Sequence, residues 1–265
     1  MPKQCFEGLL HAGLPEMDAA HGLWKMPMIT RTAYPGWTDP LGMPDASWYD
    51  ALSIAQHPLR NWIMVNQETW PIDTQANRQL MAQRFVTVYT EIKARRPDLS
   101  ICFYGSLPRR DFWRAVPYPQ QPSLHIWRSE NNDIAATLAP VVDAFTPSLY
   151  FFYDKATNGQ EVVDMFRRYV RMHMNEMKRL RDTYGHGQPI YPYIWWRRQD
   201  DAKDLDLDIW RDMVRIVYQE ADGFVLWGGW KTTPPAGPIP WDENAPWWSW
   251  LRPRLPGKDV LMGDL

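Results

Sequence analysis

One carboxylic acid is distinguished by its neighbours. Glu68 follows the short apolar run Trp62-Ile63-Met64-Val65-Asn66 and lies within the polar group Asn66-Gln67-Glu68-Thr69. An acid walled by the indoles of Trp62, Trp70 and Trp227 loses hydration, which favours its neutral form and lets it keep a proton near neutrality. Such a group can pass that proton to a glycosidic oxygen. Position alone fits two roles equally well, a proton donor or a loop cap paired with an arginine. Past the other apolar runs stand Tyr104 and Ser106, then Tyr150, Tyr153 and Asp154, then Tyr193, Arg197 and Arg198, then Trp227 with Trp230. Phenols and indoles around a single carboxylate suit a neutral or weakly charged sugar chain, because flat rings stack on the C–H faces of sugars.

The elements that must position these residues can be read from periodicity. Trp62 to Asn66 is a short β-prone run. Beyond Pro71 and the cap candidates Asp73 and Thr74, apolar residues at Ala76, Leu80, Met81, Phe85, Val88, Tyr89 and Ile92 trace one helix face that stops before Pro97. The alternation continues with a strand over Leu99 to Tyr104, a proline-rich loop, a helix over Asp133 to Val142 and a strand over Ala144 to Phe152. A long helix over Gly159 to Tyr184, a strand over Pro189 to Trp196, a helix over Asp206 to Ala221 and a strand over Gly223 to Trp227 follow. Upstream, Leu23 to Ile29 reads as a first strand and Ser47 to Gln56 as a helix, and Leu124 to Trp127 as a further short strand. Apolar strands separated by helices predict a parallel sheet covered on both faces. A count of seven or eight strands within 265 residues favours a single-domain (β/α) barrel spanning the whole chain, with the residues past each strand gathered at one mouth. The proline-rich stretches at Pro108 to Pro122 and Pro234 to Pro246 read as loops around a cleft.

Composition narrows the function classes. Lys plus Arg number 29 against 31 Asp plus Glu, so no broad positive field exists to hold a nucleic acid. No apolar run approaches the roughly 20 residues of a membrane span, and the first ten residues do not read as a secretory signal. Two cysteines, Cys5 and Cys102, exclude a disulfide scaffold and a cysteine-rich zinc cluster. The six histidines show no metal-binding spacing, and no cofactor is implied. No phosphate-cradling glycine motif and no Gly-x-Ser-x-Gly elbow occurs. His173 and Glu176 read as helix surface and core edge. Sixteen tryptophans exceed ordinary packing needs, and composition alone fits two readings equally, a sugar-binding role for some of them or a large aromatic core.

Five segments carry a likeness to a known family. Asn66-Gln67-Glu68-Thr69-Trp70-Pro71 resembles the hyaluronidase motif Asp-Trp-Glu-x-Trp-x-Pro, and Phe103-Tyr104-Gly105-Ser106-Leu107-Pro108 resembles that family's Phe-Tyr-Gly-Phe-Pro. Pro147-Ser148-Leu149-Tyr150, Pro189-Ile190-Tyr191-Pro192-Tyr193 and Gly223-Phe224-Val225-Leu226-Trp227-Gly228 resemble its later strands, in the same order. The resemblance implies a (β/α) barrel glycoside hydrolase that cuts a polysaccharide internally, with Glu68 as general acid/base and the substrate's acetamido group as nucleophile. It also implies that Tyr104 and Tyr150 hold the sugar and its acetamido group and that Trp227 floors the cleaved subsite; Trp70, Tyr193, Asp154 and Trp230 are further candidate substrate contacts by their place past the strands.

The departure is at Asn66, where the family has an aspartate that orients and stabilises the acetamido group. An amide can hydrogen-bond that group but cannot offset a developing positive charge. Three readings follow. Substrate-assisted cleavage tolerates Asn66, or a second carboxylate takes part, or the chain is a non-catalytic carbohydrate-binding barrel such as a virion or tail component. For the second reading Asp154 is the first candidate, and Glu130 and Asp200 come after it. The pairs Arg109-Arg110 and Arg197-Arg198 could receive an acidic sugar such as a uronate, although solvated loop charge is the commoner case.

Overall fold

The computed structural model describes residues 3–15, 22–55, 62–112, 122–152, 155–199, 203–231 and 236–256. In chain order the elements are β1 (Gln4–Leu9), β2 (Trp24–Lys25), β3 (Met28–Thr30), α1 (Ala46–Ile54), β4 (Trp62–Asn66), α2 (Gln75–Arg95), β5 (Ser100–Phe103), α3 (Pro122–Leu138), α4 (Lys155–Tyr184), β6 (Tyr193–Ile194), α5 (Leu207–Glu220), β7 (Gly223–Gly228), β8 (Trp230–Lys231), β9 (Gly237–Pro238) and α6 (Pro246–Leu251). The protein is α/β with parallel sheets, in two compact units built from separated stretches. Among the described residues the parallel strands fall into a four-stranded and a three-stranded sheet, and no sheet closes on itself. The expected parallel β/α alternation is therefore present, without a closed barrel.

The first unit comprises Met1–Met26, Ser148–Met174 and Ile190–Leu265. Its sheet has the order β2-β1-β7-β6, with β1 and β7 in register from Gln4↔Gly223 to Leu9↔Gly228. Gly223 permits that approach, since a Cβ there would stand 1.5 Å from the Gln4 carbonyl oxygen. The helix α5 lays Ile209, Trp210, Met213, Val214, Ile216 and Val217 into the core. Tyr169 of α4 donates its hydroxyl to the Ser148 carbonyl at 3.0 Å, and His173 lies fully buried with Nδ1 3.0 Å from the Tyr169 carbonyl.

The second unit comprises Pro27–Pro147 and Asn175–Pro189, with the sheet order β3-β4-β5. Asp45 caps α1 by accepting from the Ser47 amide, and Thr74 caps α2 by accepting from the Asn77 amide. The buried face of α2, Met81, Ala82, Phe85, Val88 and Ile92, follows helical spacing. A buried polar network ties α3 to α4. Glu176 is 1% exposed and takes Arg179 on both carboxylate oxygens, Arg128 at 3.4 Å and the Asn131 amide at 3.2 Å. Arg179 also donates to Asn132 at 2.7 Å. Glu176 and His173 are thus core groups, not helix surface, because paired partners satisfy the carboxylate and a backbone carbonyl satisfies the imidazole.

Several elements differ from the expectation drawn from sequence. Strand β1 was not expected, because Glu7 and Gly8 interrupt its apolar run. Leu124 to Trp127 belongs to α3 and not to a strand, since Leu124, Trp127, Asn131, Ile134 and Leu138 are buried at helical spacing. Ala144 to Phe152 forms isolated bridges, at Phe145, Ser148 and Phe151, and no continuous strand among the described residues, and Pro189 and Pro192 confine β6 to two residues. Most of the tryptophan excess is core, with Trp37, Trp48, Trp127, Trp196, Trp210 and Trp248 fully buried. Both cysteines are buried free thiols, raised by burial. No helix among the described residues is long and apolar enough to cross a membrane.

Candidate active site

The carboxyl end of β4 delivers Asn66 as its last residue and Glu68 two positions later. Asn66 is half-buried, with Nδ2 3.5 Å from Met28 Sδ, and its buried Oδ1 has no partner among the described residues. Glu68 opens to solvent with its side chain 51% exposed, and its Oε2 lies 4.0 Å from Arg110 Nη2. A pair this loose and exposed contributes on the order of 0–1 kcal/mol. The enclosure expected around Glu68 is absent on the Trp70 side. That indole is 3% exposed, donates Nε1–H to the Gly42 carbonyl at 3.2 Å and packs against Trp37 and Phe85. Trp70 is a core residue here and offers no free face to a sugar.

Tyr104 follows β5 directly, is 7% exposed, and its amide donates to the Val65 carbonyl at 3.1 Å. The segment after it is fixed to α3. The Arg109 amide donates to Asn131 Oδ1 at 2.9 Å, the Arg109 guanidinium meets Glu130 at 2.7 Å, and Trp127 Nε1–H donates to the Arg109 carbonyl at 2.9 Å. This anchoring leaves the next residue, Arg110, beside Glu68. Glu130 is committed to Arg109 with Arg78 at 3.9 Å, so it is engaged as a structural anion and not poised as a second catalytic carboxylate.

In the other unit, Tyr150, Trp195 and Trp227 form a contiguous ring cluster. Tyr150 stacks on Trp227 with centroids 5.6 Å apart at 26°, and Trp195 meets Trp227 edge-on at 5.0 Å and Tyr150 at 5.6 Å. The indole N–H groups of Trp195 and Trp227 are buried with no acceptor among the described residues. Gly228 makes room for the cluster, since a Cβ there would lie 2.3 Å from Trp196 and 2.9 Å from Trp195 Nε1, with φ +150°. Tyr193 is fully buried on β6, whereas Trp230 is 39% exposed at the start of β8. Asp154, Tyr153 and Asp200 lie outside the described residues.

Two titratable groups near the end of β1 were missed because β1 itself was. Glu7 is 2% exposed, accepts the Leu9 amide at 2.8 Å, and has its pKa raised by burial. Strand alternation turns it away from Gly8, whose Cβ position faces Trp227, so it does not join the ring cluster. His11 stacks on Trp196 at 5.5 Å, with Nδ1 3.1 Å from the Ile239 carbonyl, and burial lowers its pKa. Among the described residues no group of His, Cys, Asp and Glu is arranged to hold a metal ion.

No protein-family model matches the chain, and no curated protein sequence matches it. Among solved structures it is similar to bee venom hyaluronidase in complex with a hyaluronic acid tetramer, with a TM-score of 0.60 and 17% identity over 85% of this chain and 90% of that one. A monoclinic crystal form of bee venom hyaluronidase gives 0.58 and 16% identity over 85% and 91%. A chitinase from Pseudoalteromonas aurantia aligns at only 0.40. At this identity the likeness is one of fold.

Proposed function

We propose that the protein is a glycoside hydrolase that cleaves internal bonds of a polysaccharide, with Glu68 as general acid/base. The observation that supports this most is the placement of Glu68 immediately beyond a parallel strand, its carboxylate open to solvent and its flanking residues fixed, in a fold like that of bee venom hyaluronidase. Catalytic groups of parallel β/α enzymes gather beyond the carboxyl ends of strands. Glu68 would donate its proton to the glycosidic oxygen as the bond to the anomeric carbon breaks, and would then take a proton from the incoming water.

Asn66 has a role in this reading despite replacing an aspartate. Its Oδ1 has no partner among the described residues and is buried, so the side chain would turn outward to accept the N–H of an acetamido group and aim that group's carbonyl oxygen at the anomeric carbon. It brings no negative charge to the resulting oxazolinium-like ion, so turnover would be slower than with a carboxylate. Tyr104, Tyr150, Trp227 and Trp230 are proposed as sugar contacts. Trp70 and Tyr193 would act only by supporting their neighbours. The reading takes an N-acetylated polysaccharide as substrate, and hyaluronan, a tetramer of which is held in the bee venom hyaluronidase complex, is the first to try.

The test is reducing-end release from hyaluronan, chondroitin and chitin-derived polymers by the wild type and Glu68→Gln. Loss of release with retained polymer binding is the expected result, and undiminished release by Glu68→Gln removes the assignment. A non-catalytic carbohydrate-binding role is the second reading, favoured by the amide at position 66 and by Arg110 beside Glu68. It predicts retention of one polymer with no release by the wild type, and no gain on Asn66→Asp.

A further inference from the structure

The loop between Asp39 and Gly42 makes an unusual set of bonds. Its three successive carbonyls at positions 40, 41 and 42 all accept from side chains of the same unit. Pro40 accepts from Gln67 Nε2 at 2.8 Å and lies 2.7 Å from the Thr69 hydroxyl, and Leu41 accepts from Arg84 at 2.9 Å. Gly42 accepts from the indole N–H groups of Trp37 at 3.1 Å and Trp70 at 3.2 Å. The loop is held in shape from within by Asp39, which takes the Leu41 amide on its side chain at 2.8 Å and the Gly42 amide on its carbonyl at 3.2 Å. Surface loops ordinarily leave such carbonyls to water.

Three of these donors, Gln67, Thr69 and Trp70, bracket Glu68 on both sides. Gln67 is 6% exposed, and its Oε1 lies 3.0 Å from the Thr69 hydroxyl, which links the two anchors to each other. Trp70 is locked between Trp37 and Phe85, with the Arg84 guanidinium 5.4 Å from its ring. Glu68 and Thr69 are both exposed, but the Thr69 hydroxyl is tied to the Pro40 carbonyl, whereas the Glu68 carboxylate has only the loose 4.0 Å approach of Arg110 among the described residues. We infer that Gln67, Thr69 and Trp70 are positioning residues, which clamp the peptide on either side of Glu68 to the carbonyls of Pro40 and Gly42 and so fix the direction in which its carboxylate points. This deepens the reading of Glu68 as the acid and rests on it for the catalytic consequence. A proton donor displaced by about 1 Å loses about a hundredfold in rate, so a side chain on a free loop after a strand needs such support.

The test uses Gln67→Leu, Thr69→Val and Thr69→Ser in the full chain. The first two delete clamp bonds at nearly constant volume, and the third restores the hydroxyl. Amide hydrogen exchange needs no substrate. In Gln67→Leu and Thr69→Val it should rise about tenfold over residues 66–70 and 39–42 while α5 is unchanged, and Thr69→Ser should match the wild type. On hyaluronan, or the polymer of the panel that the wild type cuts, kcat should fall about tenfold or more with KM within about twofold, and Thr69→Ser should recover it. Unchanged exchange over 66–70 overturns the clamp. Faster exchange with kcat intact, in a protein whose Glu68→Gln variant is inactive, overturns its part in the reaction. Full hydrolysis by Glu68→Gln is a different result, because it removes the acid and leaves the exchange data to judge the clamp alone.

Discussion

The carboxyl end of β4 and the carboxyl end of β7 each present side chains beyond a parallel strand, but they are built from different materials. Past β4 the chain is held by directional bonds, from Gln67 and Thr69 to the Pro40 carbonyl and from Trp70 to the Gly42 carbonyl of a neighbouring loop, and one acid is left open. Past β7 the holding is done by ring packing, with Trp195 and Trp227 against Tyr150, Trp196 stacked 3.8 Å from Trp247, and two glycines where rings press on the backbone. Hydrogen bonds fix the direction of one small group. Packed rings fix a surface and contribute most of the local stability. The two ends should therefore fail differently when disturbed.

The largest effect is expected at Trp196. Trp196→Ala removes a fully buried indole that stacks on both Trp247 and His11, and should cost about 3–5 kcal/mol, read as a lower denaturant midpoint. A loss below about 1 kcal/mol would mean that the rings merely line the end of β7 without holding it. Gly228→Ala comes next. Its Cβ would fall 2.3 Å from Trp196 at a φ of +150°, so about 1–3 kcal/mol should be lost. By contrast, Thr69→Val at the β4 end should cost only about 1 kcal/mol, the ordinary worth of one exposed hydrogen bond, while changing exchange and kcat as described above. If Thr69→Val unfolds the protein as Trp196→Ala does, the contrast between the two ends is wrong.

The smallest effect is one of pH. Burial raises the Glu7 pKa from its ordinary 4.5, so the unfolded chain releases this proton before the folded one does. Glu7 therefore lowers stability as pH rises from the unfolded value through the folded one. Glu7→Gln keeps an acceptor for the Leu9 amide and removes the titration. It should raise Tm by a few degrees at neutral pH, and the gain should vanish as pH falls to about 4. The comparison must be made variant against wild type, because His11, held below its ordinary value by burial, shifts stability in the opposite sense on acidification.

Much of the fold was legible where one signal acted alone. The run Trp62–Asn66 and the helix Gln75–Arg95 announce themselves by periodicity, by the Thr74 cap and by Pro97 beyond the end. Strand β1 was not legible, because its central position depends on pairing with β7, more than 200 residues away, and not on an unbroken apolar run. α3 was misread at its start because four apolar-rich residues fit either period. At the candidate site the place of Glu68 could be read from the strand that precedes it, but its surroundings could not. Which way Trp70 turns is decided by the Gly42 carbonyl, 28 residues distant, and by the ring of Trp37. Likewise nothing local in Arg109-Arg110 reveals that Asn131 and Glu130 hold the first and leave the second beside the acid.

The cluster around Glu176 has a consequence for how this protein can change over generations. Arg128 and Arg179 neutralise, and Asn131 hydrogen-bonds, a carboxylate that water barely reaches, so losing any one of them strands a charge or a polar atom in the interior. Single replacements there should be purged while simultaneous ones, exchanging the whole set for apolar side chains of similar bulk, would be tolerated. Descendants are thus expected either to keep all four residues or to have abandoned them together, and the register of α3 against α4 is inherited as a unit.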